Sequence, residues 1–273
     1  MELIYNDMTR AALDDAYQLA KGLDFPAILA DFLKRSETAY QTFPCERNIP
    51  YAGGPRNTLD YFPSSRENAP TLIFIHGGFW QSTSKEHFAF ITQGLLADFQ
   101  VIMAEYTLAP EASMSQIHGE IAAMLNFLRD NAQRFHLQPG KICLCGHSAG
   151  AHLTAMNRSH PLISHAMWMS GIVDLTPISL CFLNDNLQLT PSEIQIFSPA
   201  NSMIKGVPMA VTIGAAERPE MIRQSERYVE LLKACGNDVV FTHLPGENHF
   251  SQMYQFSADG RLTAALKQLM GNA

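Results

Sequence analysis

One pentapeptide constrains the fold of this chain more than any other feature. Gly146-His147-Ser148-Ala149-Gly150 follows an apolar run, Ile142–His147, that is typical of a strand, and precedes a stretch, Ala151–Met156, that can open a helix. Small residues beside the serine permit the sharp strand-to-helix turn that exposes a nucleophile at the end of a sheet. Because such a string also occurs by chance in small-residue turns, the interpretation depends on the flanking strand and helix. Ser148 is the candidate nucleophile, and the Ala149 N–H at the helix start is a candidate oxyanion donor.

The rest of the chain indicates the α/β class. Short apolar runs alternate with helical patterns from Thr71 onward, which is typical of a mostly parallel sheet covered by helices on both faces. We expect the α/β-hydrolase fold in a single domain, 1–273. The predicted strands are Thr71–His76, Val101–Tyr106, Ile142–His147, Ala166–Ser170, Met209–Ile213 and Val239–Leu244.

Three further segments complete the predicted organisation. Glu46–Tyr51 and Asn57–Phe62 flank a Gly-Gly-Pro turn and predict an antiparallel pair at the sheet edge. Residues 1–45 are predicted to be helical, since Met8, Ala12, Ala16, Leu19 and Leu23 share one helix face, and to pack over the core or the pocket mouth. Residues 174–205 contain three prolines among polar residues and are predicted to be an irregular cap or lid.

Composition excludes several classes of function. The net charge of −7 is accompanied by no basic run, so neither nucleic acid nor an anionic membrane is an expected partner. No apolar run approaches the roughly 18 residues of a membrane span, and the first residues lack a signal-peptide pattern, so a cytoplasmic location is expected. The expected partner is a small acyl amide or ester. The oligomeric state is left open, with a homodimer as one alternative.

The five cysteines are few, odd in number and scattered, so we expect them to be reduced. Cys143 and Cys145 lie two apart in a predicted strand and should fill the core from one face. No cysteine or histidine spacing indicates a zinc site, and no cofactor is indicated.

A second motif follows the first predicted parallel strand. His76-Gly77-Gly78-Phe79-Trp80 occupies the place where a hydrolase of this fold supplies its other oxyanion donors. Gly77, Gly78 and Phe79 are therefore candidate backbone donors, although an ordinary Gly-Gly turn is the alternative. Phe79 and Trp80 are also candidate pocket residues, whereas an aromatic pair is otherwise most often part of a core.

A serine nucleophile needs a base, and the base needs an acid that orients it. His249 lies in a loop directly after the last predicted strand and is the candidate base. The candidate acid lies in the loop after Met209–Ile213, where Glu217 comes first. Glu220 remains open as an alternative, although the start of the next helix suits an acidic residue for a structural reason.

These motifs together resemble the kynurenine formamidase (arylformamidase) branch of the α/β hydrolases. The likeness is carried by the His76–Trp80 motif, by Gly146–Leu153 and by Asn248-His249-Phe250, and it extends over most of the chain from Ile49 onward. It implies a fold similar to that of hormone-sensitive-lipase-type esterases and hydrolysis of N-formyl-L-kynurenine to formate and kynurenine, without a metal. The resemblance also carries over the roles of Ser148, His249 and the backbone donors.

The chain departs from that pattern at two places, which keeps other functions open. The acid is often Asp in relatives, whereas this chain offers Glu217, and the N-terminal stretch matches poorly. A carboxylesterase or thioesterase with the same triad is the main alternative. A non-catalytic binding protein with a hydrolase fold is less favoured, because such proteins commonly lack a triad residue.

Overall fold

The computed structural model describes residues 2–271 and contains one eight-stranded sheet. The strands lie in the order β1-β2-β4-β3-β5-β6-β7-β8, and all neighbours from β4 to β8 are parallel, whereas β2 is antiparallel to both β1 and β4. The strand bounds are β1 Glu46–Pro50, β2 Thr58–Phe62, β3 Thr71–Ile75, β4 Gln100–Ala104, β5 Ile142–His147, β6 His165–Met169, β7 Met209–Gly214 and β8 Val239–Leu244. The predicted parallel strands and the antiparallel edge pair are thus confirmed to within a residue or two.

Helices cover both faces of the sheet, as predicted. Side chains of a buried strand alternate between the faces, so Ile73 and Ile75 of β3 join one core cluster while Leu72 and Phe74 join the other. The helices are α1 Arg10–Ala16, α2 Phe25–Thr42, α3 Lys85–Phe88, α4 Met114–Asp130, α5 Ala149–Asn157, α6 Thr176–Ser179, α7 Asn184–Leu187, α8 Pro191–Phe197, α9 Pro219–Ala234 and α10 Arg261–Leu269. Short 3₁₀ turns occur at Ala89–Gly94, Pro199–Asn201 and Ser251–Phe256.

The N-terminal segment differs from the single helix face predicted for Met8 to Leu23. Helix α1 ends at Ala16, and α2 starts only at Phe25, with Asp24 as its N-cap. Between them Gly22 has a φ of +81°, a left-handed conformation that interrupts a helix. Pro26 is compatible only with the first turn of a helix, so it marks a new start.

Residues 174–205 contain short helices instead of the predicted irregular chain. Helices α6, α7 and α8 lie in this segment, with Pro177 second in α6 and Pro191 first in α8. Proline is favoured there because its missing N–H would have no partner in the helix. The prolines therefore start helices in this segment.

Cys143 and Cys145 fill the core from one face of their strand, as predicted. Cys143 and Cys145 on β5 are fully buried in the same core cluster, and all five cysteines are free thiols. Among residues 2–271, no helix combines the length and the apolar character that crossing a membrane requires.

The turn between β5 and α5 brings backbone into close contact with β3. A Cβ built on Gly150 would lie 2.0 Å from the carbonyl oxygen of Ile75, and one on Gly146 would lie 2.1 Å from that of Gly150. Both distances are far below van der Waals contact, and no flexible side chain is available to move. Glycine at these positions is thus a packing requirement of the turn that presents Ser148.

Replacing Gly150 by alanine is expected to lower the free energy of unfolding by about 3 kcal/mol, the upper part of the range for overpacking a core. Gly119 in α4 is the matched control, because a Cβ there meets nothing within 4 Å. Gly119→Ala should raise stability by about 0.5–1 kcal/mol through helix propensity. Urea denaturation of both variants tests this, and equal stability of the two would contradict the packing argument.

Candidate active site

Ser148 occupies a sharp turn between β5 and α5. Its φ of 57° and ψ of −120° form a combination that a serine adopts only at an energetic cost. Its N–H donates to the carbonyl of Met169 at the end of β6, which holds the strained residue in place over the sheet. The Ser148 side chain lines a cavity and is otherwise almost fully enclosed.

The loop after β3 lies directly against this turn. A Cβ on Gly77 would lie 2.9 Å from the Ser148 Cβ, so only glycine permits this approach. Gly78, Phe79 and Trp80 then follow with φ values of 100°, 50° and 60°, three successive left-handed residues. Successive residues with a positive φ direct their backbone N–H groups toward a shared concavity, which can bind an anion.

Within residues 2–271, no hydrogen bond uses the backbone N–H of Gly78, Phe79 or Ala149. An unpaired buried N–H is costly, so such groups are normally satisfied. Gly78 and Phe79 line the same cavity as Ser148, and Ala149 follows it directly, so these unused donors are candidates to bind the negative oxygen of a reacting carbonyl.

His249 lies in the loop after β8 and contacts Glu217 after β7. Its Nδ1 lies 2.7 Å from the Glu217 Oε2, and both side chains are almost fully buried. A carboxylate accepting from Nδ1–H leaves the lone pair on Nε2, which is the tautomer that can accept a proton from serine. His249 and Ser148 line the same cavity.

The second oxygen of Glu217 is held by three donors. Oε1 accepts from the Ser170 hydroxyl, from the Gln252 side-chain amide at 2.8 Å and from the Gly214 N–H at 3.3 Å. Ser170 and Gln252 are functional residues that sequence reasoning missed. The available signals were weak: Ser170 directly follows a strand with φ +50°, and Gln252 lies three residues after His249.

Glu220, the alternative acid, lies away from His249. Its carboxylate accepts from the guanidinium of Arg223 and from the hydroxyl of Tyr17 at 3.1 Å, in the first turn of α9. A carboxylate at this position interacts favourably with the positive end of the helix dipole. Of the two carboxylates, the structure brings Glu217 to the histidine.

His147 and His152 make structural contacts. Neither is among the site residues predicted from the sequence. His147 Nε2 lies 2.8 Å from the His249 carbonyl oxygen, and His152 Nε2 lies 2.6 Å from that of Phe197. Burial lowers the pKa of His147 well below its usual value, and burial lowers that of His152 to about 4. Both rings are therefore neutral donors, and His147 fixes the loop that carries His249.

The cavity at Ser148 has a volume of about 200 Å³. The sheet side of it includes Gly78, Phe79, His147 and His249, while α2 and the preceding turn form the opposite side. We call this side the N-terminal wall; it comprises Tyr17, Gln18, Leu19, Ala20, Phe25, Leu29 and Phe32. The predicted cap contributes only Phe182 among the lining residues.

One predicted pocket residue is wrong. Trp80 is fully buried, packs edge-on against His152 at 4.9 Å between ring centres, and is absent from the residues that line the cavity. Its left-handed backbone turns the indole into the core beneath the loop. Phe79 does line the cavity, where its ring meets Tyr17 edge-on.

Known proteins support the same architecture. The family model BD-FAE matches residues 59–160. Kynurenine formamidase from Danio rerio is 30% identical over 262 residues, which cover 88% of this chain and 86% of that protein. A crystal structure from Silicibacter sp. TM1040 superposes with a TM-score of 0.82 at 24% identity, covering 93% of this chain and 98% of that one. A hyperthermophilic esterase from Pyrobaculum calidifontis has a TM-score of 0.74 at 20% identity, covering 94% and 97%.

The sheet, the helices and the structural neighbours define the α/β-hydrolase fold. Within that class, the extent and level of identity show a narrower relationship. The chain belongs to the kynurenine formamidase family, and it is a hydrolase.

Proposed function

We propose that this chain is a serine hydrolase that cleaves N-formyl-L-kynurenine to formate and kynurenine. The observation that carries the proposal is the buried contact between Glu217 and His249, because His249 lines the same cavity as Ser148, which lies at a strained strand-to-helix turn. Aromatic side chains of Phe25, Phe79 and Phe250 surround that cavity and suit an aryl leaving group. The names of the relatives support the choice of substrate.

The proposed reaction begins with acylation of Ser148. The Ser148 Oγ attacks the formyl carbon while His249 Nε2 takes the hydroxyl proton, so a C–O bond forms and the carbonyl electron pair moves to oxygen. That oxyanion is stabilised by the N–H groups of Gly78, Phe79 and Ala149, which have no other acceptor among the described residues. Glu217 stabilises the imidazolium formed in this step.

Collapse of the tetrahedral intermediate breaks the C–N bond. His249 gives its proton to the departing aryl amine, and a formyl ester remains on Ser148. Water then attacks this ester with His249 again as base, which releases formate and restores the serine. An aryl amine is weakly basic, so it leaves more readily than an alkyl amine.

The assay that tests the proposal compares N-formyl-L-kynurenine with p-nitrophenyl acetate, using Ser148→Ala as the blank. A kcat/KM for the formamide far above that for the ester, absent in the blank, is the expected result. Rapid ester cleavage without formamide cleavage would contradict the substrate. Failure of a fluorophosphonate to label Ser148 would contradict the serine mechanism itself.

A carboxylesterase is the second candidate, and one observation favours it. No lysine or arginine is among the residues that line the cavity, so the carboxylate of an amino-acid substrate would lack a charged partner there. Uncharged esters need no such partner. The esterase from Pyrobaculum calidifontis shares the fold with this chain.

The aromatic part of the cavity leads to a prediction about binding. Phe25 lines the cavity and contacts Phe250, with ring centres 5.1 Å apart and ring planes tilted by 45°. Phe25→Ala is expected to raise KM for an aryl formamide about 5- to 10-fold, since a lost aromatic contact is worth roughly 1 kcal/mol, with little change in kcat.

Phe43 provides the matched control for this prediction. It is half-buried, directly follows the C-terminal end of the same helix and is not among the residues that line the cavity. Phe43→Ala should leave KM unchanged. Steady-state kinetics on both variants decide the point, and a similar rise in KM for both would refute a binding role for Phe25.

A further inference from the structure

The loop that follows β3 and carries Gly77 and Gly78 makes polar contacts that the mechanism above does not use. The buried ring of His76 has its Nδ1 2.8 Å from the Gly77 carbonyl oxygen and its Nε2 2.9 Å from the Glu105 Oε1. The Thr83 hydroxyl also lies 3.2 Å from Nδ1, so the His76 ring is held between Glu105 at one nitrogen and Gly77 and Thr83 at the other.

Glu105 is built to remain ionised beside it. Besides His76, its carboxylate accepts from Arg56 at 2.7 Å and from the backbone N–H groups of Tyr106 and Lys85 at 2.9 and 3.1 Å. Burial raises the pKa of Glu105, but His76, Arg56 and the backbone donors around it outweigh burial, and the net shift is downward. The Tyr106 ring stacks on the His76 ring with ring centres 4.4 Å apart, which restricts the position of the imidazole.

The carbonyl held by His76 belongs to the peptide whose N–H lines the oxyanion site. Gly77 O also accepts from the Thr83 hydroxyl at 2.9 Å, so two side chains hold it on one side. In a trans peptide the C=O and the N–H point in opposite directions. Anchoring Gly77 O therefore turns the Gly78 N–H the other way, toward the cavity that Gly78 shares with Ser148.

We propose that the ring of His76 and the hydroxyl of Thr83 are positioning groups that fix the Gly77–Gly78 peptide in the orientation needed for oxyanion binding. The proposal rests on the serine-hydrolase function above. Without these anchors the peptide is free to rotate, as a glycine pair allows, and one donor is lost. Since an oxyanion donor acts mainly in the transition state, the loss appears in kcat and leaves KM unchanged.

Thr83→Val removes one anchor while conserving side-chain volume. The expected result is a kcat about 10-fold lower with KM unchanged, a fraction of the roughly 10²-fold effect of deleting a donor outright. Thr92→Val is the matched control, because the buried Thr92 hydroxyl also donates to a backbone carbonyl, that of Ala89, but lies outside the cavity. An unchanged kcat in Thr83→Val, or a change confined to KM, would overturn the proposal.

Failure of this inference is distinct from failure of the proposed function: an active Ser148→Ala enzyme refutes the latter, whereas an inactive Ser148→Ala beside a fully active Thr83→Val refutes only the former.

Discussion

Replacing Ser148 with alanine is expected to lower kcat for any acyl substrate by about 10⁵- to 10⁶-fold, the loss seen when a triad nucleophile is removed. The residual rate comes from the oxyanion donors and substrate binding. Alanine tolerates the left-handed backbone at this position about as well as serine does, so the melting temperature should stay within about 3 °C of the wild-type value. Single-turnover kinetics and a thermal melt measure both quantities.

Ser179→Ala is the control for a serine outside the cavity. The Ser179 hydroxyl donates to the carbonyl of Thr176 within α6 and contacts no residue of the triad. This variant should keep the wild-type kcat and fluorophosphonate labelling. Activity that survives in Ser148→Ala would assign the nucleophile elsewhere.

The second large effect is expected at the acid. Glu217→Gln keeps the shape of the side chain but removes the charge that stabilises the His249 imidazolium and selects its tautomer. A loss in kcat of about 10³- to 10⁴-fold follows, as for the amide replacement of a triad acid. Steady-state kinetics at saturating substrate measure it.

Glu220→Gln is the matched comparison, because both residues are buried glutamates in the same loop-to-helix region. Glu220 holds Tyr17 and Arg223, so its replacement should disturb the N-terminal wall and change kcat by less than about 10-fold. If the two variants lost activity equally, the assignment of Glu217 as the triad acid from its contact with His249 would be wrong.

The parts of the structure that sequence predicted are those with local patterns. Each parallel strand is a short apolar run with turn residues at its ends, and the pentapeptide at Ser148 has its small residues fixed by contacts within a few positions. Strand order then brings the loops after β7 and β8 to one edge of the sheet. Ser148, Glu217 and His249 could be proposed together for that reason.

The remaining features depend on contacts between distant positions or on side-chain direction. Spacing could not separate Glu217 from Glu220, since the choice depends on how the loop turns before α9. The prediction that Trp80 lines the pocket is wrong because three successive left-handed residues set the direction of its side chain. Sequence periodicity carries no information about that direction. Ser170 and Gln252 meet Glu217 from two other loops. No local signal links such residues.

The N-terminal wall is joined to the rest of the molecule by apolar packing, with Tyr17 and Leu19 in one core cluster and Phe32 in the other, and by polar contacts of the wall and of the residues just before it. Tyr17 binds Glu220, Arg218 donates to the carbonyl of Asp15 at 2.8 Å, and Asp14 accepts from the N–H of Phe182 at 2.7 Å. The groups proposed for bond cleavage belong instead to the sheet and its loops. Natural variation or laboratory recombination confined to the first forty or so residues could thus redirect such an enzyme to new compounds while leaving its reaction chemistry intact.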